Sequence, residues 1–91
     1  MNLTAEQYKE IEEYAGLFFS IDDIAVLIGC NATELRREIR NRNTEAYRYY
    51  QKGKLDTLVK IRKQTKLFAE KGSPQAEAFM KHYHEKMEGD E

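Results

Sequence analysis

The sequence predicts an all-α protein of five helices. Three observations carry this. Five helix-start signatures stand within 91 residues. No segment alternates apolar and polar side chains with period two for the length of a strand. One proline and five glycines are too few turn formers for a β-sandwich.

The elements follow in order from their punctuation. Thr4-Ala5-Glu6-Gln7 fits a capping box, with Thr4 as N-cap, Gln7 at the third helical position and Leu3 and Tyr8 as the flanking apolar staple. Ser20-Ile21-Asp22-Asp23 repeats the pattern with an aspartate, with Phe19 and Ile24 as the staple. Asn31-Ala32-Thr33-Glu34 repeats it again, with Cys30 and Leu35. Each cap satisfies backbone N–H groups that a helix start leaves without partners. Gly29 supplies the stop between the second and third helices. Asn43 or Thr44 offers a fourth start. Ser73-Pro74 offers a fifth, with Gly72 ending the helix before it. The predicted helices are 5–17, 21–28, 32–41, 45–71 and 74–88.

The core follows from spacing at three and four residues. The first helix places Tyr8, Ile11, Tyr14 or Ala15, and Phe18 on one face. The second places Ile21, Ile24, Ala25, Leu27 and Ile28 inward. The third has only Ala32, Leu35 and Ile39, against a polar side carrying Arg36, Arg37, Arg40 and Arg42. On the fourth, Tyr47, Tyr50, Leu58, Ile61, Thr65 and Phe68 form a stripe that Leu55 and Val59 broaden. On the fifth, Ala76, Phe79, Met80, Tyr83 and Met87 do the same. The turn at Gly72-Ser73 makes the last two helices an antiparallel hairpin. Two helices make a thin core, so the hairpin is expected to pack on the first three or on another subunit. Gly53, inside the fourth helix, costs about 1 kcal/mol against alanine and marks a close helix contact or a bend.

Composition narrows the function. A chain of 91 residues fits one domain and is short for a large buried catalytic cleft. There is no long apolar run for a membrane span, and the Met1-Asn2-Leu3 start is unlike a secretory signal. The expectation is a cytoplasmic protein that is not an enzyme and uses no cofactor. One cysteine, Cys30, excludes an internal disulfide and a cysteine-based zinc site. His82 and His84 are two apart and point to different helix faces, so no metal site is expected. Gly53-Lys54 lacks the upstream glycine of a phosphate-binding loop.

The net charge of −1 hides an asymmetry. Residues 1–30 carry −5, residues 31–66 carry +7 and residues 67–91 carry −3. A basic middle between acidic ends points to a polyanion-binding face.

The second and third helices match a helix-turn-helix. Counted from Ile21, the fourth and fifth residues are Ile24 and Ala25. The eighth to tenth are Ile28, Gly29 and Cys30, and the fifteenth is Leu35. Ala25 is small where the third helix crosses, and Gly29 takes a turn conformation that a Cβ resists. The eighteenth position is Glu38, followed by Ile39, which departs from the repressor pattern and suggests a homeodomain-like variant. The expected arrangement is a helix-turn-helix unit over 1–43 and a long-helix hairpin over 44–91, within one compact domain or two. With the third helix in the major groove, Thr33, Arg36 and Arg37 face base edges or phosphates, and Arg40 lies further along. Arg42, Lys52 and Lys54 complete the predicted contacts, the lysines meeting phosphates. Glu34 and Asn31 are caps first.

These stretches resemble small phage terminase subunits and related prophage helix-turn-helix proteins. One is Ile21 to Leu35, the motif above. The other runs from Ala46 through Tyr47, Tyr49, Tyr50, Gly53-Lys54 and Ile61-Arg62-Lys63 to the Gly72-Ser73-Pro74 turn, and ends near Tyr83. The resemblance covers about 80 of the 91 residues. It implies a protein that engages double-stranded viral DNA for packaging, forms homo-oligomers and contacts the large terminase subunit. The sequence also accommodates a mobile-element transcription regulator, or a helical module that docks an acidic protein partner.

Overall fold

A computed structural model of the protein describes residues 1–89, so Asp90 and Glu91 at the end of the acidic C-terminal block lie outside it. All its regular elements are helices: α1 (Ala5–Gly16), α2 (Ile21–Ile28), α3 (Ala32–Arg40), α4 (Glu45–Glu70) and α5 (Pro74–Gly89). The chain divides into two compact units, Met1–Thr57 and Leu58–Glu91, with the boundary inside α4.

Local caps set the helix starts. Thr4 Oγ1 accepts from the Gln7 N–H at 3.0 Å while Gln7 Oε1 accepts from the Thr4 N–H at 2.9 Å, a complete capping box. Ser20 Oγ and Asn31 Oδ1 accept from the N–H groups of Asp23 and Glu34 at 3.1 and 2.9 Å. Thr44 Oγ1 accepts from the Tyr47 N–H at 3.2 Å and donates to the Glu38 carbonyl at 2.6 Å, tying the start of α4 to the end of α3. Ser73 Oγ accepts from the Ala76 N–H at the start of α5.

The helix ends use one device three times. The Cys30 N–H bonds the Ala25 carbonyl and the Gly29 N–H bonds that of Val26. Gly29 has φ 75°, a conformation costly for any residue with a Cβ. Ser73 and Gly72 repeat the pattern on Phe68 and Ala69 after α4. After α1 the same pair runs from Phe19 to Tyr14 and from Phe18 to Ala15. There the left-handed position is held by Phe18, at φ 63°. The Phe19 ring meets the Tyr14 ring edge-on at 5.9 Å, the apolar contact that accompanies this turn.

A non-glycine residue in this region is strained by about 1–2 kcal/mol. Phe18→Gly is therefore expected to raise stability by about 0.5–1 kcal/mol, the relief of strain less the greater freedom glycine has in the unfolded chain. A urea titration followed by circular dichroism reads this. A fall in stability would mean that the Phe18 ring contributes more packing than its backbone costs.

The core of the first unit is Ile11 and Ala15 from α1, Ile24, Ala25 and Ile28 from α2, Leu35 and Ile39 from α3, and Ala46 from α4. Leu3, Tyr8, Cys30, Tyr49 and Tyr50 pack around it, and the Tyr8 and Tyr49 rings stack at 5.3 Å. Ile39 fills the place that Glu38, half-buried, leaves. The compact unit reaches Thr57 because α4 begins by crossing α1 at two glycines. A Cβ on Gly53 would stand 1.9 Å from the Glu12 carbonyl oxygen, and one on Gly16 3.2 Å from the Gly53 oxygen. Thr57 Oγ1 donates to the Gly16 carbonyl at 2.7 Å beside this crossing. Gly53 thus marks a close contact inside a continuous helix and not a bend.

Three core expectations in this unit are corrected. Leu55 is 51% exposed, because it stands two residues from Gly53 and so on the side of α4 away from the crossing with α1. Phe18 is 50% exposed, because α1 stops at Gly16 and the left-handed turn swings Phe18 away from the helix face. Leu27 is 47% exposed, because Ile24, Ala25 and Ile28 already face α1 and α3 and leave it on the outer side of α2.

In the second unit, Arg62 of α4 lies over the Tyr83 ring of α5 at 4.5 Å. Its Ala76 is buried, and Leu58, Met80 and Tyr83 are half-buried. Val59, Ile61, Phe68, Phe79 and Met87, expected to be interior, are exposed, because two helices have only one narrow seam between them. No described helix is long and apolar enough to cross a membrane.

Candidate nucleic-acid interface

Helix α3 has a narrow apolar anchor and a wide polar remainder. Leu35 and Ile39, four residues apart, hold it to the core. Thr33, Arg37 and Arg40 are exposed and Arg36 is half-buried. Together these four line a shallow groove of about 310 Å³. Their spacing explains this: steps of three and four residues from 33 to 36, 37 and 40 keep side chains on neighbouring rows of one helix face.

The groove is strongly cationic but not uniformly free. Arg36 Nη2 forms an ion pair with Asp22 Oδ1 in the first turn of α2. The Arg36 side chain is 34% exposed and that of Asp22 61%. Among the described residues, Arg37, Arg40 and Arg42 take part in no ion pair. Arg37 and Arg40 also sit in the last turn of α3, where they complement the carbonyl end of the helix.

The remaining predicted contacts lie elsewhere on the first unit. Arg42 is exposed in the turn between α3 and α4 and does not line the groove. Lys52 bonds Asp56 at 2.8 Å and reaches Glu12 at 3.5 Å. Its ammonium is held above the ordinary lysine range, first by the hydrogen bond to Asp56 and the charge of that carboxylate, then by Glu12. It lines a different groove, with Glu12, Glu45, Arg48 and Tyr49. Lys54 lies over the Tyr50 ring at 5.5 Å. The groove on α3 thus gathers Thr33, Arg36, Arg37 and Arg40, and leaves out Arg42, Lys52 and Lys54.

Sequence spacing did not reveal Asp22 as a member of this surface. Fourteen residues separate it from Arg36, so no helix spacing pairs them; the crossing of α2 and α3 does. Asn31 and Glu34 act as caps through Asn31 Oδ1 and the Glu34 N–H. Cys30 packs against the core. Burial, and then the Glu34 carboxylate, push its thiol above the usual range, which disfavours the reactive thiolate.

Comparison with protein-family models, curated proteins and solved structures finds no match to this chain.

Proposed function

We propose that the protein binds double-stranded DNA through a homeodomain-like helix-turn-helix made of α2 and α3, with α3 entering the major groove. The observation that carries this reading is the groove on α3 lined by three arginines and a threonine, on a helix anchored by only two buried side chains. The tight turn at Gly29 and the buried Ala25 support it, since the motif needs a sharp corner and a close crossing there. Arg37 and Arg40, which take part in no ion pair among the described residues, are the leading base or phosphate contacts. Thr33 and Arg36 flank them. Arg42, Lys52 and Lys54 serve as peripheral contacts to the backbone.

The biological role that fits best is that of a small terminase subunit, a binding protein and not an enzyme. It recognises viral DNA for packaging, assembles as a homo-oligomer through its α4–α5 hairpin and contacts the large terminase subunit. Exposed Phe68, Phe79 and Met87 on that hairpin support self-association.

The test is fluorescence anisotropy with a mixed-sequence duplex across a salt series. The wild type is expected to bind with a steep salt dependence. The double variant Arg37→Ala, Arg40→Ala is expected to keep the wild-type thermal melt. It should also flatten the slope of log K against log salt by about 2, since each arginine–phosphate pair removed takes away about 1. No wild-type binding near 50 mM salt would overturn the reading and leave the basic block as a dock for an acidic protein.

A further inference from the structure

The two sides of the Arg36 ion pair have different surroundings. On one side Arg36 shares a shallow, open groove with Thr33, Arg37 and Arg40. On the other it meets the Asp22 carboxylate, which is presented from a different helix. Asp22 is the only acid paired with any of the three groove arginines among the described residues. A carboxylate and a phosphodiester offer a guanidinium the same chemistry, two anionic oxygens that accept its forked N–H donors. We propose that Asp22 holds Arg36 in the free protein and yields it to a DNA phosphate on binding, so that the α2–α3 ion pair is a competitor built into the DNA surface. This rests on the reading of α3 as the DNA element.

Magnitudes favour exchange over permanent pairing. Asp22 is largely exposed and Arg36 keeps about a third of its side chain in solvent, so the pair sits at the surface, where ion pairs are weak and screened by salt. A duplex phosphate also releases condensed counterions when a guanidinium replaces them, which Asp22 cannot match. The pair is nonetheless useful before binding. It fixes a long, flexible side chain beside the groove, so less rotamer freedom is given up when DNA arrives. Asp22 is thus a positioning residue. It orients Arg36 and subtracts a modest factor from affinity.

A matched pair of variants tests this. Asp22→Asn and Asp23→Asn each remove one negative charge from the first turn of α2, and Asp23 holds no arginine among the described residues. The charge removed is the same in both, and the Arg36→Ala background separates the through-space effect of each charge from the loss of the pair. Asp22→Asn is expected to bind duplex about twofold to fivefold more tightly than Asp23→Asn, with the same salt slope as wild type. In an Arg36→Ala background that excess disappears, and the slope is about 1 shallower. Equal affinities of the two variants, beside normal wild-type binding, overturn the inference and leave the DNA reading standing. An excess that persists without Arg36 overturns it too. Absent wild-type binding overturns both. A measurement free of any Asp22 variant is the Arg36 Nε–H resonance of the wild type. It shifts on adding duplex if Arg36 changes partner, and its staying in place overturns the exchange.

Discussion

Gly53→Ala is expected to lower the stability of the protein by about 2–3 kcal/mol, the upper range for overfilling a packed contact. The added Cβ would stand 1.9 Å from the Glu12 carbonyl oxygen and 2.7 Å from its carbon. These are backbone atoms inside α1, so no rotamer change relieves the clash. Restoring ordinary contact near 3.4 Å moves the helices apart by about 1.5 Å. That shift loosens Ile11 and Ala15, which face the core from the same helix. The sign of the effect is the discriminating feature. In a helix interior free of contacts, alanine is favoured over glycine by about 1 kcal/mol, and Tm would rise. Here Tm is expected to fall by about 10 °C or more, taking about 4–8 °C per kcal/mol for a domain of this size. Thermal melts followed at 222 nm read it, and an unchanged or higher Tm would show that α1 does not approach α4 at this point.

Leu35→Ala is expected to cost about 2–5 kcal/mol, the range for truncating a fully buried leucine. Leu35 has no exposed surface, and it shares the task of anchoring α3 with Ile39. A small domain holds about 0.05–0.15 kcal/mol per residue, so one such change removes a large part of the stability of the first unit. The effect reaches function by a route distinct from the arginines. Truncating Leu35 lets α3 detach and scatters Thr33, Arg36, Arg37 and Arg40. Truncating Arg37 and Arg40 leaves the helix docked and removes only charge. Urea unfolding measures the first effect. A destabilisation below about 1 kcal/mol would contradict the burial of Leu35, because cavities in a tight core are not free.

The helix limits were legible because capping is local. Thr4, Ser20, Asn31, Thr44 and Ser73 each act on an N–H three residues on, and the stop at Gly29 involves residues no more than five apart. Predicted and observed limits differ by one residue at four C-terminal ends, because helices tighten and fray there. The inner faces of α2 and α3 were legible for a similar reason. A thin apolar stripe among charges has one way to face inward, which brings Ile24, Ala25, Ile28, Leu35 and Ile39 together.

Residue order was enough to say which segments are helices, where they begin, and that α3 carries its arginines opposite Leu35 and Ile39. Which of those arginines are engaged depended on how the helices cross. The pairing of Arg36 with Asp22, the contact of Gly53 with Glu12 and the bond from Thr57 to Gly16 each join different helices, across gaps of 14 to 41 residues. Such contacts depend on crossing positions, which spacing along one helix does not contain. Phe18 and Leu27 were apolar residues at plausible inward positions, and they stand exposed because the turn after α1 and the close fit of α2 left no interior space for them. Short-range hydrogen bonding is written residue by residue; the competition of side chains for a small core is settled only when the helices pack.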